Sequence, residues 1–305
     1  MATIPYLPFA RPTLDEDTIN GVTEVLRSGW ITTGPQVKQF EAALCTYLGD
    51  RPVRVLNSAT AALEVALQLC GIGPGDEVIT PAQTFFAAPN MIAKVGARPI
   101  FVDVELISRN LDFNAVERAI TPRTKAIMPT HFGGLPVDMD RLYKIAGKYG
   151  LRVIEDAALA MGSSWRGRRI GSFGDLIVFS FHPNKNMTTI EGGALVINDE
   201  AEALEVEKLR FHGITRLPDG TRDVVFPGGK FNLPDVNARI GLGQLAQLEE
   251  FNSRRREWVA DYFQLLQTDV AGTLPRVAYL HRSAHEQRPC HTGVHGQAAV
   301  VLDAT

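Results

Sequence analysis

Gly171-Ser172-Phe173-Gly174-Asp175-Leu176-Ile177-Val178-Phe179-Ser180-Phe181-His182-Pro183-Asn184-Lys185-Asn186 runs from a turn through a short apolar stretch into a small polar loop. Two glycines bracket the turn, and Leu176 to Phe179 has the length and composition of a strand covered on both faces. Lys185 therefore lies just past the carboxyl end of a strand. An amine in that setting can form an imine with an aldehyde cofactor, so amine transfer is the chemistry it suggests.

Comparable runs occur at Val53 to Leu56, Glu77 to Ile79, Ile100 to Val102, Ala126 to Met128, Val153 to Ile154 and Ala194 to Ile197. Helix-like segments fill many of the intervals, a rhythm that predicts an α/β fold. The runs lack polar alternation, as expected of a mostly parallel sheet whose binding groups project from loops beyond the carboxyl ends. Helical periodicity also marks residues 15–27, 35–48 and 63–69, and a helix is expected from Asp235 to Glu250. Between the first two helices, Trp30 reads as a packing anchor, with a substrate-side lid as the other option.

The 305 residues, 45% of them hydrophobic, suffice for one large or two modest domains. We expect a large cofactor-binding domain over residues 1–250 and a remnant of a small domain over 251–305. With 31 basic and 34 acidic residues the net charge is -3, which argues against a nucleic-acid partner. Cys45, Cys70 and Cys290 are few and scattered, which fits a reducing compartment better than a disulfide framework or thiolate cluster. The amino terminus carries no leader pattern and no run is long enough to cross a bilayer, so a cytoplasmic location is expected.

Several loops have the residues for a site. Asn57-Ser58-Ala59-Thr60-Ala61-Ala62 opens a helix whose free N–H groups could receive a phosphate, although Ser and Thr serve equally as plain caps. Gly71-Ile72-Gly73-Pro74-Gly75 precedes a strand, whereas a dinucleotide fingerprint follows one, so that reading is rejected. Phe85 and Phe86 close another strand, where one ring could cover a flat cofactor while the other packs inward. Asp156 ends Leu151-Arg152-Val153-Ile154-Glu155-Asp156 and could hold a proton on a pyridine nitrogen, cap the next helix or bind a cation. Gly192 and Gly193 permit close backbone approach or form simple turns, and Asn232 stands at a helix entry.

In combination these pieces resemble the sugar aminotransferases of the DegT/DnrJ/EryC1/StrS family, within the fold-type I pyridoxal-phosphate superfamily. The likeness is strongest to those that supply the amino group of the lipid A sugar 4-amino-4-deoxy-arabinose. It rests on Ser28 to Pro35, Asn57 to Ala62, His131-Phe132-Gly133-Gly134, Glu155-Asp156-Ala157-Ala158, Ser180 to Asn186, Glu191-Gly192-Gly193 and Lys230 to Asp235, within about residues 6 to 265. The resemblance implies pyridoxal 5'-phosphate held by Lys185, with Asp156 on the ring nitrogen and Phe85 stacked on the ring. It also implies a phosphate at Thr60, Ala61 and Ser180, with Asn232 supplied by the neighbouring subunit of a homodimer. L-Glutamate would be the amino donor, a nucleotide-linked 4-keto sugar the acceptor, and Lys185 the proton carrier in both half-reactions. Relatives that dehydrate sugars have histidine in place of that lysine.

Two departures qualify the match. Leu159 stands where relatives commonly have His or Gln, so a polar contact beside the cofactor is lost. Relatives also continue for roughly seventy residues more, whereas the stretch from Leu280 to His295 resembles no expected domain ending, as after a shifted reading frame. His281, His285, Cys290, His291 and His295 lack a recognised zinc spacing, and a disordered tail is the expected reading. A cofactor-binding but catalytically impaired homologue is the alternative function.

Overall fold

The computed structural model describes residues 8, 10–269 and 303–304, so the histidine-rich stretch and Cys290 lie outside the described residues. Helices α1 (Glu16–Ser28) and α2 (Pro35–Tyr47) come first. There follow β1 (Val53–Leu56), α3 (Ala59–Leu69), β2 (Glu77–Pro81), α4 (Ala87–Lys94), β3 (Arg98–Val102), α5 (Phe113–Ala119) and β4 (Thr124–Ile127). Next are α6 (Met139–Tyr149), β5 (Arg152–Asp156), the hairpin β6 (Ser164–Trp165) and β7 (Arg168–Arg169), β8 (Leu176–Ser180) and β9 (Gly193–Val196). After α7 (Glu200–Leu209), a second hairpin of β10 (Ile214–Arg216) and β11 (Arg222–Val224) leads to α8 (Asp235–Asp269), and β12 (Asp303–Ala304) pairs parallel to β6.

Seven strands form the central sheet in the order β1-β9-β8-β5-β4-β2-β3. Only β9 opposes the others, pairing antiparallel with both β1 and β8. The carboxyl ends of six strands and the amino end of β9 consequently share one edge, where the α/β rule places ligands. Successive residues of a strand point to opposite faces. Ile177 and Phe179 accordingly join the core beneath α2, α5, α6 and α8, whereas Leu176 and Val178 join the one beneath α3, α4 and α7. The central β8 and β9 are buried at every residue, as their apolar runs predict, whereas the edge strand β3 leaves Arg98 and Phe101 exposed.

Local capping sets the helix starts. Asp15 Oδ1 accepts from Thr18 N at 2.8 Å, and Asp138 Oδ1 from Arg141 N at 3.0 Å. At α2 the N-cap is Gly34, which has no side chain to offer. Its cap comes instead from the buried Asp235 carboxylate, which accepts from Gly34 N (2.8 Å), Val37 N (3.0 Å) and Gln36 N (3.1 Å). Asp235→Ala leaves these first-turn donors unsatisfied and is expected to cost about 2 kcal/mol. Urea unfolding checks this; a midpoint equal to that of the parent would remove the capping role.

The structure changes one packing expectation. Trp30 is 59% exposed, its Nε1 donating to Thr33 O at 3.3 Å, so it anchors no core. The last helix also runs to Asp269, past the Glu250 expected from sequence. Among the described residues no helix is long and apolar enough to cross a membrane.

Candidate active site

Asp156 is the last residue of β5 and Ser180 the last of the adjacent β8, in a register that sets Asp156 opposite Val178. The loop beyond Ser180 turns back through a bond from Lys185 N to His182 O (2.9 Å), bringing Lys185 to the same edge of the sheet. Asp156 is almost wholly buried. Burial pushes its carboxyl above the usual carboxylate value, outweighing the Ala158 N–H it accepts (3.1 Å) and the charge of Lys185. Burial likewise lowers Lys185 below the usual lysine value, against the attraction of Asp156. Each group feels the other, and each is driven toward its neutral form.

A second cluster adjoins them. Ser58 caps α3 by accepting from Ala61 N at 3.0 Å, and Ser58 O accepts from Ala62 N at 3.1 Å. The N–H groups of Ala59 and Thr60 are thus left at the mouth of the helix. Gly193 pairs with Leu56 on one side and Ser180 on the other. A Cβ on Gly193 would lie 2.4 Å from Ala59 N, so β9 can meet this helix end only as glycine. Through Gly193, this approach links the end of β8 at Ser180 to the start of α3 at Ala59. The donor set of small hydroxyls and helix N–H groups suits a phosphate, while Asp156 and Lys185 suit the ring nitrogen and aldehyde of pyridoxal phosphate.

The remaining sequence candidates are arranged less simply. Phe85 and Phe86 are 53% and 64% exposed, with ring centroids 4.0 Å apart, so Phe86 does not pack inward. Asn232 bridges to Leu56, at the strand end that precedes Ser58. Within its own chain its side chain donates to Thr33 Oγ1 and accepts from Lys230 Nζ. Leu159 is half-buried two residues past the Ala157 that follows Asp156.

Behind the acid lies a buried network that the sequence reading passed over. His131 N donates to Asp156 O at 3.0 Å. His131 Nδ1 accepts from Val137 N (3.1 Å), which leaves Nε2–H to donate to Glu155 Oε2 (2.9 Å). Tyr143 donates to Glu155 Oε1 at 2.5 Å and accepts from Asp175 N at 2.6 Å. Burial raises the Tyr143 hydroxyl far above its usual value, and the Glu155 charge adds to this. Asp175 stays below the usual value despite burial because Arg152 binds it through two bonds of 2.7 and 2.8 Å. This lattice holds the ends of β4, β5 and β8 in fixed relation. Thr130, whose hydroxyl lies 2.7 Å from that of Thr84, bridges to Asp156 at the same edge.

The sequence pattern of the DegT/DnrJ/EryC1/StrS aminotransferase family matches residues 12–295, reaching further than the resemblance read from motifs. The fold is similar to that of Spr1654 from Streptococcus pneumoniae, assigned as a sugar aminotransferase. Its PMP form aligns with a TM-score of 0.82 and 37% identity over 86% of this chain and 71% of that one. DesV of S. venezuelae, solved with a ketimine intermediate, gives 0.78 and 38% over 83% and 67%. PseC of Helicobacter pylori, an aminotransferase of pseudaminic acid biosynthesis, gives 0.81 and 32% over 86% and 71%. On this extent of matching in sequence and fold, the chain belongs to the DegT/DnrJ/EryC1/StrS aminotransferase family, enzymes of fold type I that depend on pyridoxal 5'-phosphate.

Proposed function

We propose that this chain transfers an amino group from L-glutamate to a nucleotide-linked 4-keto sugar, in the cytoplasm, for lipopolysaccharide or lipid A sugar biosynthesis. The observation that carries the reading is the electrostatic pairing of Lys185 and Asp156 at one sheet edge, beside the Ser180 and α3 donors. The sugar-aminotransferase assignment of Spr1654 supports the acceptor class, and the ketimine intermediate seen in DesV supports amine transfer.

When bound, pyridoxal 5'-phosphate supplies a ring that takes up the electron pair released from the donor's Cα–H bond. The chain's own residues do the rest. Thr60 and Ser180 would hold the phosphate together with the free N–H groups at the start of α3, and Ala61 would join them by turning its N–H from Ser58 Oγ to the ligand. Phe85 covers the ring. Asp156 holds the proton on the ring nitrogen, in a site where burial strengthens that pairing. Lys185 moves the proton from the donor's α-carbon, and its lowered basicity enlarges its neutral, proton-accepting fraction near pH 7. Two copies pair as a homodimer, and Asn232 of one reaches the other's phosphate by exchanging its contacts with Thr33 and Lys230. Residues 1–250 form the cofactor-binding domain and 251–305 belong to a smaller one.

A second reading, a cofactor binder with impaired turnover, is favoured by Leu159, which can make no hydrogen bond beside the site. One experiment separates the two. Protein loaded with pyridoxal 5'-phosphate receives L-glutamate, and its visible absorption and released 2-oxoglutarate are recorded. Loss of the visible band with one 2-oxoglutarate per site supports transfer, and an unchanged spectrum in folded, loaded protein supports the impaired binder.

A further inference from the structure

Helix α8 lies against the segment that follows Lys185, and three amide side chains meet it there. Asn237 Nδ2 donates to Thr189 O (2.7 Å) and Glu191 O (3.2 Å). Gln244 Oε1 accepts from Thr188 N (3.3 Å) while its Nε2 donates to Thr13 O (2.7 Å). Asn252 Oδ1 accepts from Asn186 Nδ2 (3.5 Å) and Arg255 (2.9 Å), and its Nδ2 donates to Met161 O (3.3 Å). Positions 237, 244 and 252 are separated by about two helical turns at each step and so form one stripe.

The contacts are selective. Arg255 can only donate and Met161 O only accept, which fixes the orientation of the Asn252 amide. Its oxygen faces Asn186, so Asn186 must present nitrogen. Asn186 Oδ1 is then left buried without a partner among the described residues. Among the described residues, Asn252 thus gives Asn186, next to Lys185, its one polar side-chain anchor. Asn237, for its part, grips the two carbonyls flanking Ile190, whose φ of +72° is costly for a β-branched residue. Asn186, Thr188 and Thr189 are all buried, so these polar groups have no ready exchange with water.

We propose that Asn237, Gln244 and Asn252 are positioning residues for Lys185, the amide stripe of α8 fixing residues 186–191 and hence the place from which the lysine amine reaches the cleft. The inference rests on the aminotransferase reading for what the lysine does, but the placement itself can be tested without turnover. The first readout is the Lys185 amine pKa in cofactor-free, full-length protein, followed by NMR of 13C-methylated lysines and assigned by loss of the signal in Lys185→Arg. The second is kcat and KM for L-glutamate in loaded enzyme.

Asn252→Leu, which keeps the volume and removes the anchor, is expected to raise the Lys185 pKa by roughly half a unit or more toward the ordinary value as the loop loosens and hydrates. It should lower kcat about tenfold with KM within about twofold. Asn252→Asp retains the accepting oxygen beside Arg255 and is expected to restore most of both. Should Asn252→Leu fail to fold, Asn237→Ala at a half-buried position provides the same readouts, with kcat lowered about threefold. Folded variants with reduced thermal stability and an unmoved Lys185 pKa would overturn the proposal. A parent enzyme inert toward L-glutamate would count against the function reading and leave the pKa test intact.

Discussion

Lys185→Ala and Lys185→Arg are both expected to lose at least about ten-thousand-fold in kcat for 2-oxoglutarate release, about 5.5 kcal/mol of barrier, while still binding pyridoxal 5'-phosphate. The two substitutions fail for different reasons. Alanine removes the amine altogether. Arginine keeps a positive charge opposite Asp156, but a guanidinium cannot be deprotonated in a protein and so cannot accept the α-proton. If Lys185 acted only as a counter-charge for Asp156, the arginine variant would keep much of the activity. Cofactor retention in both variants is expected because the phosphate donors lie elsewhere, on α3 and at Ser180. The pH profile adds a further check. Burial holds Lys185 below 10.5, so the donor half-reaction should rise with pH through a value below that of an ordinary lysine. Stopped-flow absorbance across the pH range gives both the rates and the profile. Retained turnover in Lys185→Ala would transfer the proton-carrying role to another group.

How much of this was legible in the sequence depended on the range of the interactions. The shared position of Asp156, Ser180 and Lys185 could be expected because each ends, or closely follows, an apolar strand, and a mostly parallel sheet brings such ends to one edge. The strand β9 could be located from Ala194 to Ile197, but its opposed direction could not, since orientation follows from partners distant in the chain. Asp235 looked like a helix start and proved to cap α2 as well, through bonds spanning about two hundred positions. The stripe of Asn237, Gln244 and Asn252 left a trace, three amides on one helical face, but nothing local says what that face meets. Trp30 and Phe86 were misjudged for a related reason. An aromatic side chain signals a large apolar surface, and whether the fold covers it is decided by neighbours that sequence periodicity does not identify.

Asp156→Asn is expected to separate activity from stability. Without cofactor, the parent buries a carboxyl whose pKa burial has raised above 3.8, so ionising it near neutral pH costs folding free energy. The amide of asparagine can keep the bond from Ala158 N and carries no charge to desolvate. At pH 7 the cofactor-free variant should therefore be at least as stable as the parent, by an increment on the order of 1 kcal/mol. The sign follows from linkage. Below 3.8 the parent carboxyl is protonated both folded and unfolded, and its contribution is fully present. As pH rises through the raised folded value, that contribution is lost, and the variant's relative stability grows across the window. Catalysis should move the opposite way. Asparagine cannot hold a proton on the ring nitrogen, and a neutral ring is a poor electron sink, so kcat should fall by about a thousand-fold. Thermal melts of cofactor-free parent and variant between pH 4 and 8, with single-turnover rates on loaded protein, test both halves. A variant that is less stable at neutral pH would mean that the pairing with Lys185 outweighs the burial cost, and unimpaired turnover would place the ring-nitrogen partner elsewhere.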